Sequence, residues 1–231
     1  MKKVFRFFLV TTVSVALCSL NTPAYAAGKD LDYRVEEAAD IFGEIMQMPD
    51  KAIPVDLLKN CAGVAIFPSV LSGGFIIGGR FGNGVILAMD EKTKAWSAPA
   101  FCNIGGLSYG FQIGGQAIDL VLIIGNKRGL KSLLAGKVTL GGDLAVSAGP
   151  VGRNAEAATD ILLKTGVLSY SRSRGLFAGV AFKGAMILQD DNANEAYYNK
   201  ELSSHDILFG QDVKPTPAAI ELIKTLDKYS K

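Results

Sequence analysis

The sequence predicts an α+β fold whose centre is a Gly-rich, strongly curved, mostly antiparallel β-sheet or barrel-like core with flanking N- and C-terminal helices. Twenty-three of the 26 glycines lie between Cys61 and Leu188, where they interrupt β-branched and aromatic runs. Glycine inside a strand permits bulges, sharp bends and close backbone approach, as at the corners of a small closed sheet. Helical apolar periodicity is found on both sides of this block.

The first 26 residues have the pattern of a secretory signal peptide. Three basic residues precede an apolar run from residue 7 to 20, and Ala24-Tyr25-Ala26 forms a small-x-small cleavage site. Such a signal would direct export of the chain to the periplasm or to an outer-membrane-associated location, with cleavage after Ala26. Lipidation of Cys18 is the competing interpretation, although Leu17 is larger than the residue that normally precedes a lipidated cysteine.

The net charge gives no reason to expect nucleic acid as a partner. Removing residues 1–26 leaves 21 basic against 22 acidic residues, a net charge of −1, so any anion binding needs a local basic patch. Residues 27–231 are of ordinary size for one domain, with the Gly-rich β core at about 61–188.

Two amphipathic helices are expected at the ends of this domain. From Leu31 to Met48, apolar residues recur at helical spacing with Glu36, Glu37, Asp40 and Glu44 mostly between them. A short helix should follow at Val55–Asn60. Thr216-Pro217 is a good helix start for a closing helix with apolar residues at 220, 223, 226 and 229.

The Gly-rich block divides into short strands with one helix among them. The predicted strands are Ala62–Phe67, Gly74–Phe81, Val85–Met89, Ser97–Asn103, Leu107–Gln116, Leu120–Ile124, Val138–Ser147, Val167–Ser173 and Leu176–Leu188. Gly82-Asn-Gly84 predicts a tight hairpin turn, because Asn-Gly tolerates positive φ. A brief helix is expected at Lys127–Leu134, and residues 155–164 fit either a helix or the start of a strand.

Cys61 and Cys102 are the cysteines that remain after cleavage. An exported protein meets an oxidising compartment, so a disulfide between them is possible. Because each lies in or beside an apolar strand, two buried unpaired thiols are an equally good interpretation.

Enzymatic chemistry has little support in the sequence. His205 is the only histidine, which excludes metal sites built from several histidines and leaves a single candidate for a Ser-His-Asp arrangement. We expect His205 to cap a turn instead. The sequence thus predicts a protein that is not an enzyme and that needs no cofactor.

Six basic residues are candidates for contacting anionic headgroups. They are Lys127, Arg128 and Lys131 at a predicted helix N-terminus, Arg153 after the turn at 149–152, and Arg172 and Arg174, which share a face at strand spacing. A helix N-terminus favours anions, and the planar arginine fork suits phosphate oxygens. The alternatives are solvated charges on a surface helix, and pairing of the arginines with Asp143, Asp160 or Asp190.

A second oxygen-rich segment, with Asp190, Asp191 and Asn192, could suggest calcium. It lacks the spaced ligands and the distal glutamate of an EF-hand loop. Capping of a short helix toward Tyr197-Tyr198 is the preferred interpretation, and no metal is expected.

Seven ordered blocks closely resemble the SYLF domain, also called the Ysc84 actin-binding or DUF500 domain. The blocks are Cys61–Pro68, Gly73–Phe75, Trp96–Pro99, Gly105–Gly115, Gly149–Arg153, Tyr170–Gly179 and Asp191–Tyr198. Their order spans nearly all of the chain after residue 26. One departure is Asn199, where relatives commonly have glycine.

The resemblance implies a lipid-binding module, since eukaryotic members bind phosphoinositide membranes and some also bind actin. For an exported bacterial member, it implies a non-enzymatic phospholipid-binding protein of the cell envelope, with a phospholipid membrane as partner and actin not expected. The alternative is a structural or protein-interaction module without a lipid ligand. The acidic polar side of the 31–48 helix has the wrong sign for anionic lipid, so that helix is expected to pack on the sheet.

Overall fold

Two long strands form the centre of the fold in the computed structural model. They are β1 (Gly63–Ala88) and β2 (Ala100–Ile124), which pair antiparallel from Gly63 opposite Ile124 to Ile86 opposite Ala100. The structure describes residues 24–48, 52–150, 166–173, 176–178, 182, 184–210 and 213–231. The six strands expected between residues 62 and 124 are thus joined into one long two-stranded ribbon.

The predicted hairpin turn at Gly82-Asn-Gly84 is wrong. Asn83 lies inside β1 and is paired with Asn103 of β2. The chain reverses instead between Met89 and Trp96, which form an isolated antiparallel bridge. In that turn, the Asp90 carboxylate accepts hydrogen bonds from the backbone N–H groups of residues 92 and 93, at 3.0 and 2.7 Å.

Two glycines of β1, Gly82 and Gly84, are needed because this strand curls back against itself. A Cβ on Gly84 would lie 2.3 Å from the carbonyl oxygen of Ile66 and 2.4 Å from Cδ1 of Phe67. A Cβ on Gly82 would lie 2.8 Å from Cγ2 of Val70. The two ends of β1 therefore approach more closely than any side chain at these positions would allow.

The remaining strands extend this ribbon to a curled sheet of seven strands. They are β3 (Val138–Thr139), β4 (Val146–Ala148), β5 (Val167–Ser173), β6 (Leu176–Ala178) and β7 (Ala185–Gln189). The path runs β3-β7-β2-β5-β4, with β1 on β2 and β6 on β5. Only β4 and β5 pair in parallel among the described strands, so the predicted curved, mostly antiparallel sheet is confirmed.

Two predicted strands are interrupted. Between β3 and β4, a turn places Gly141 at a φ of 84°, and the Asp143 carboxylate accepts a hydrogen bond of 2.8 Å from the Thr139 N–H. The predicted strand at Leu176–Leu188 is divided into β6 and β7. Segment 155–164 lies outside the described residues.

Helices precede and follow the strands of the sheet along the chain, which confirms the α+β class. They are α1 (Ala24–Met46), α2 (Val55–Asn60), α3 (Lys127–Leu134), α4 (Asp191–Tyr198), α5 (Ser204–Phe209) and α6 (Pro217–Ser230). Helices α2 and α3 have the predicted bounds, whereas α1 begins before Ala26 and α5 was not expected. In the described part of the chain, no helix has both the length and the apolar character to cross a bilayer.

The helices cover the sheet as two separate layers. Alternate residues along β2 divide between two buried clusters: Val121 and Ile123 pack with α1, α2 and α6, whereas Leu120 and Leu122 pack with α3 and α5. We call these the α1–α6 side and the α3–α5 side. Because successive strand residues point to opposite sides of a sheet, this alternation fixes which side each strand residue serves.

Candidate functional site

The basic residues predicted as a headgroup site are not brought together. Arg172 contacts Glu44 of α1 and so belongs to the α1–α6 side. The three basic residues of α3 belong to the opposite side, because Leu130 and Leu133 bury that helix against the other cluster. Arg153 and Arg174 lie outside the described residues. Among the described candidates, the sheet itself separates the two groups.

Arg172 is occupied by two carboxylates. Its Nε and Nη2 donate to Oδ2 of Asp119 at 3.0 and 2.7 Å, and its Nη1 donates to Glu44. Burial alone would lower the pKa of this guanidinium, but the hydrogen bonds to Glu44 and Asp119 outweigh it and raise the pKa. Arg172 therefore joins α1 to the sheet. It pairs with an aspartate, as the alternative interpretation proposed, but that aspartate is Asp119 and not one of the three named from the sequence.

The α3 cluster is a set of exposed charges. Lys127 Nζ lies 2.9 Å from the Glu91 carboxylate, with both side chains more than half exposed. Arg128 and Lys131 form no ion pair with the residues that the structure describes. The N-cap position is already filled, because Asn126 Oδ1 accepts a hydrogen bond of 2.8 Å from the Gly129 N–H. These contacts agree with the interpretation of solvated charges on a surface helix.

The calcium candidates serve a structural cap. Asp190 is the N-cap of α4 and accepts from the Ala193 N–H at 3.1 Å, while Asn103 Nδ2 donates to its other oxygen at 3.2 Å. Asp191 and Asn192 are exposed in the first turn of α4. In the described segments, no three His, Cys, Asp or Glu side chains are grouped to hold a metal ion.

The two cysteines are both buried and both free. Cys61 belongs to the cluster on the α1–α6 side and Cys102 to the cluster on the α3–α5 side. The sheet lies between the two thiols. The structure therefore agrees with the second alternative, two buried thiols without a disulfide.

His205 does not cap the turn that precedes it. The cap of α5 is Ser203, whose hydroxyl accepts from the Asp206 N–H at 3.2 Å in a reciprocal capping box. His205 is exposed, with its ring centroid 5.1 Å from that of Phe209. Its imidazole therefore points away from the buried core.

An acidic strip runs along α1 on the α1–α6 side. The apolar residues of α1 pack on the sheet as predicted, since Val35, Ala38, Phe42 and Ile45 are fully buried. The opposite side of the helix carries four carboxylates, which we call the acidic face. The acidic face consists of Glu36, Glu37, Asp40 and Glu44.

The acidic face carries uncompensated charge. Glu44 is paired with Arg172, whereas Glu36, Glu37 and Asp40 form no ion pair with any described residue. Partial burial, together with the nearby carboxylates of Asp119 and Asp40, raises the pKa of Glu37 above its ordinary value. Such an arrangement attracts cationic groups.

A groove of about 590 Å³ lies between α1 and α6, and Asp40 and Glu44 of the acidic face line it. The two helices are close at Gly43, where a Cβ would make an ordinary contact of 3.8 Å with Cγ2 of Thr225. Across the groove, Lys224 pairs with Glu221 of its own helix at 3.8 Å, and Lys228 lies 5.0 Å from the Tyr229 ring centroid. Both lysines line the groove together with Asp40 and Glu44, but among the described residues neither forms an ion pair with a carboxylate of α1.

This arrangement suits the binding of a basic segment of another protein. The carboxylates of α1 were visible as helically spaced acidic residues in the sequence. The groove was not visible in the sequence, because its second wall comes from α6, which lies far along the chain.

The family model and the individual relatives that match this chain point to the same family. The family model described as Ysc84, Las17-binding protein actin regulator, matches residues 105–229. SH3 domain-containing YSC84-like protein 1 of Homo sapiens is 36% identical over 207 residues, covering 87% of this chain and 60% of that protein. LAS seventeen-binding protein 3 of Saccharomyces cerevisiae is 39% identical over 181 residues, covering 77% of this chain and 39% of that protein. The chain thus spans about 60% or less of these relatives.

These names correct the predicted partners. The prediction of a phospholipid membrane, with actin not expected, is wrong, because the family description names a Las17-binding protein actin regulator and the yeast relative is named as a LAS seventeen-binding protein. The structure supplies a physical reason for the error: the described basic candidates lie on both sides of the sheet, and Arg172 is already paired.

Proposed function

The chain belongs to the Ysc84 family, as its seven sequence blocks indicated, and we propose that it is a protein-binding module of the actin-regulator type. It acts by holding a partner protein and not by catalysing a reaction. Its binding surface is the acidic face of α1 with the adjoining groove, and the partner presents lysine or arginine side chains to it.

The observation that carries this proposal is the unpaired charge of Glu36, Glu37 and Asp40. Like charges three or four residues apart on a helix destabilise it by about 0.2–0.5 kcal/mol per pair. Glu37 is also partly desolvated beside Asp119, which raises its pKa. A purely solvated helix would gain from lysines at these positions, so the arrangement supports a role in binding a cationic partner.

Charge complementarity of this kind fixes the orientation of a partner and speeds its association. Arg172 contributes indirectly, because its contact with Glu44 holds α1 against the sheet. The acidic face is then presented on a rigid support.

The test uses the full chain, purified actin filaments and purified Las17, the protein named in the family description. We expect the wild-type chain to bind one of them in a cosedimentation or pull-down assay. The Glu36→Gln/Asp40→Asn variant should bind at least tenfold more weakly, and added salt should weaken wild-type binding.

The matched control is Arg128→Gln/Lys131→Gln, which removes two exposed and unpaired charges from the α3–α5 side. It should bind as the wild type does. If neither protein binds, or if both variants lose binding equally, the proposal fails.

We also propose that the chain is exported, on the basis of the signal-like pattern in residues 1–26. Because α1 begins at Ala24, cleavage after Ala26 would remove only the start of that helix. N-terminal sequencing of the protein from its native cell should find Ala27. An intact Met1 would overturn this. Location and partner are separate proposals, since binding to purified proteins does not depend on where the chain resides.

A further inference from the structure

Arg80 is a partly buried cation held without a counter-charge. It lies in β1 opposite Gly106 of β2, and its guanidinium carbon is 4.5 Å from the ring centroid of Phe182. Phe182 is itself buried in the cluster on the α3–α5 side. The guanidinium thus packs against an apolar ring on the α3–α5 side.

No carboxylate compensates this charge in the described structure. Arg80 forms no ion pair there, and its Nε is buried without a hydrogen-bond partner. By contrast, Arg172 is paired with two carboxylates, and Arg34 lies 3.8 Å from Asp190. Desolvation lowers the pKa of Arg80, but an arginine remains charged at neutral pH.

A desolvated charge is normally paired in a native protein, and an unpaired buried donor is unfavourable. Contact with the Phe182 ring stabilises the cation but leaves the in-plane N–H donors unused. The free donors can therefore receive an anionic acceptor in the plane of the guanidinium.

One glycine leaves space beside this group. Gly106 lies opposite Arg80 in the ladder, and the backbone of Gly184 comes close to it, since a Cβ on Gly106 would lie 2.8 Å from the carbonyl oxygen of Gly184. A Cβ on Gly184 itself would meet no atom within 4 Å. Gly184 therefore leaves open space beside the pair of Arg80 and Gly106.

From these observations, we propose that Arg80 is an anion-binding site for a carboxylate carried on an apolar group. A carboxylate matches the fork of one guanidinium, and its apolar part would lie against the wall that Phe182 provides. A phosphate dianion fits less well, because one cation in apolar surroundings would leave it half neutralised. The site is separate from the acidic face and does not depend on the protein partner.

The test is an NMR titration of the full chain that follows the arginine Nε–H resonances. The probes are N-acetylphenylalanine, its amide, which lacks the carboxylate, and phenyl phosphate. We expect saturable movement of the Arg80 resonance with the acid and at least tenfold weaker binding of the amide. The Nε–H of Arg172 is an internal control that should stay in place, because Asp119 already accepts from it.

Arg80→Met keeps an unbranched side chain against Phe182 and removes the charge. The backbone signals of Gly106 and Gly184 should move with the acid in the wild type and stay fixed in this variant. If the variant does not fold, the wild-type Arg80 resonance alone decides. A fixed Arg80 resonance, equal binding of acid and amide, or tighter binding of phenyl phosphate would each overturn the proposal.

Discussion

Asp119 of β2 and Arg172 of β5 lie directly opposite each other in the antiparallel ladder, and Arg172 donates two hydrogen bonds to the same oxygen of Asp119. The other oxygen, Oδ1, accepts a hydrogen bond of 3.1 Å from the Ser69 N–H. Ser69 has a φ of 51° at the point where β1 shifts register. With Glu44 on the far side of Arg172, this one pair joins three strands and α1.

We therefore expect Asp119→Asn to lower the free energy of unfolding by about 2 kcal/mol, because it removes the charge from a mostly buried pair and keeps the side chain's size. The two side chains are only 17% and 19% exposed. Urea unfolding would measure the change. Glu91→Gln is the control, since its pair with Lys127 is exposed and should contribute less than about 1 kcal/mol. Equal effects would contradict the special role of Asp119.

The curl of β1 predicts a large difference between two glycines of that strand. Gly84→Ala should lower the free energy of unfolding by about 3 kcal/mol, since its Cβ would overlap the Ile66 carbonyl and the Phe67 ring. Gly79→Ala meets nothing within 4 Å and should be neutral or slightly stabilising. Thermal unfolding of both variants checks this. Similar melting temperatures would show that the two ends of β1 are not in close contact.

Local signals predicted several elements well. The start of α3 follows from Asn126, whose side chain caps the helix, and α2 begins directly after Pro54. The apolar spacing of α1 correctly indicated its buried side. In each case, the residues that determine the element lie within one or two turns of it.

Tertiary contacts decided the rest. Asn83 sits between two glycines in a pattern typical of a hairpin turn, but those glycines are required where β1 meets its own beginning. The partners of Arg172 lie 53 and 128 residues away in the chain, so no local pattern identifies them. The groove beside the acidic face is equally non-local, because α6 forms its second wall.

Both thiols should be unreactive in the folded protein. Burial raises the pKa of Cys61 to about 12 and that of Cys102 further still, so neither forms a thiolate near neutral pH. With a thiol reagent at pH 8, we expect no fast reaction in buffer and reaction of both Cys61 and Cys102 in denaturant. Failure of either to react in denaturant without reductant would indicate a disulfide.

The raised pKa of Glu37 predicts that the protein loses stability as the pH rises through that pKa. Its pKa is raised in the folded state by burial and by Asp119 and Asp40, so this group contributes stability below about pH 4.5 that is lost as the pH rises through the raised pKa. Glu37→Gln should therefore raise the urea midpoint at pH 7 and leave it unchanged at pH 4. Glu195→Gln, at an exposed position, should change the midpoint little. A lower midpoint for Glu37→Gln at pH 7 would contradict this sign.

Asn194 is a buried polar connector that the sequence did not reveal. Its Oδ1 accepts a hydrogen bond of 2.8 Å from the Phe101 N–H, and its Nδ2 donates to the Ser204 hydroxyl at 3.1 Å. The side chain is fully buried and joins β2, α4 and α5. Removing it would leave the N–H of Phe101 unsatisfied inside the protein.

Asn194→Ala should therefore lower the free energy of unfolding by about 2 kcal/mol, as measured by urea denaturation. Asn192→Ala, on the exposed side of the same helix, is the matched control and should change it by less than about 0.5 kcal/mol. Hydrogen exchange at the Phe101 amide adds a local readout, because that proton should exchange faster only in Asn194→Ala. Unchanged protection would mean that another acceptor holds the amide and that Asn194 does not join these elements.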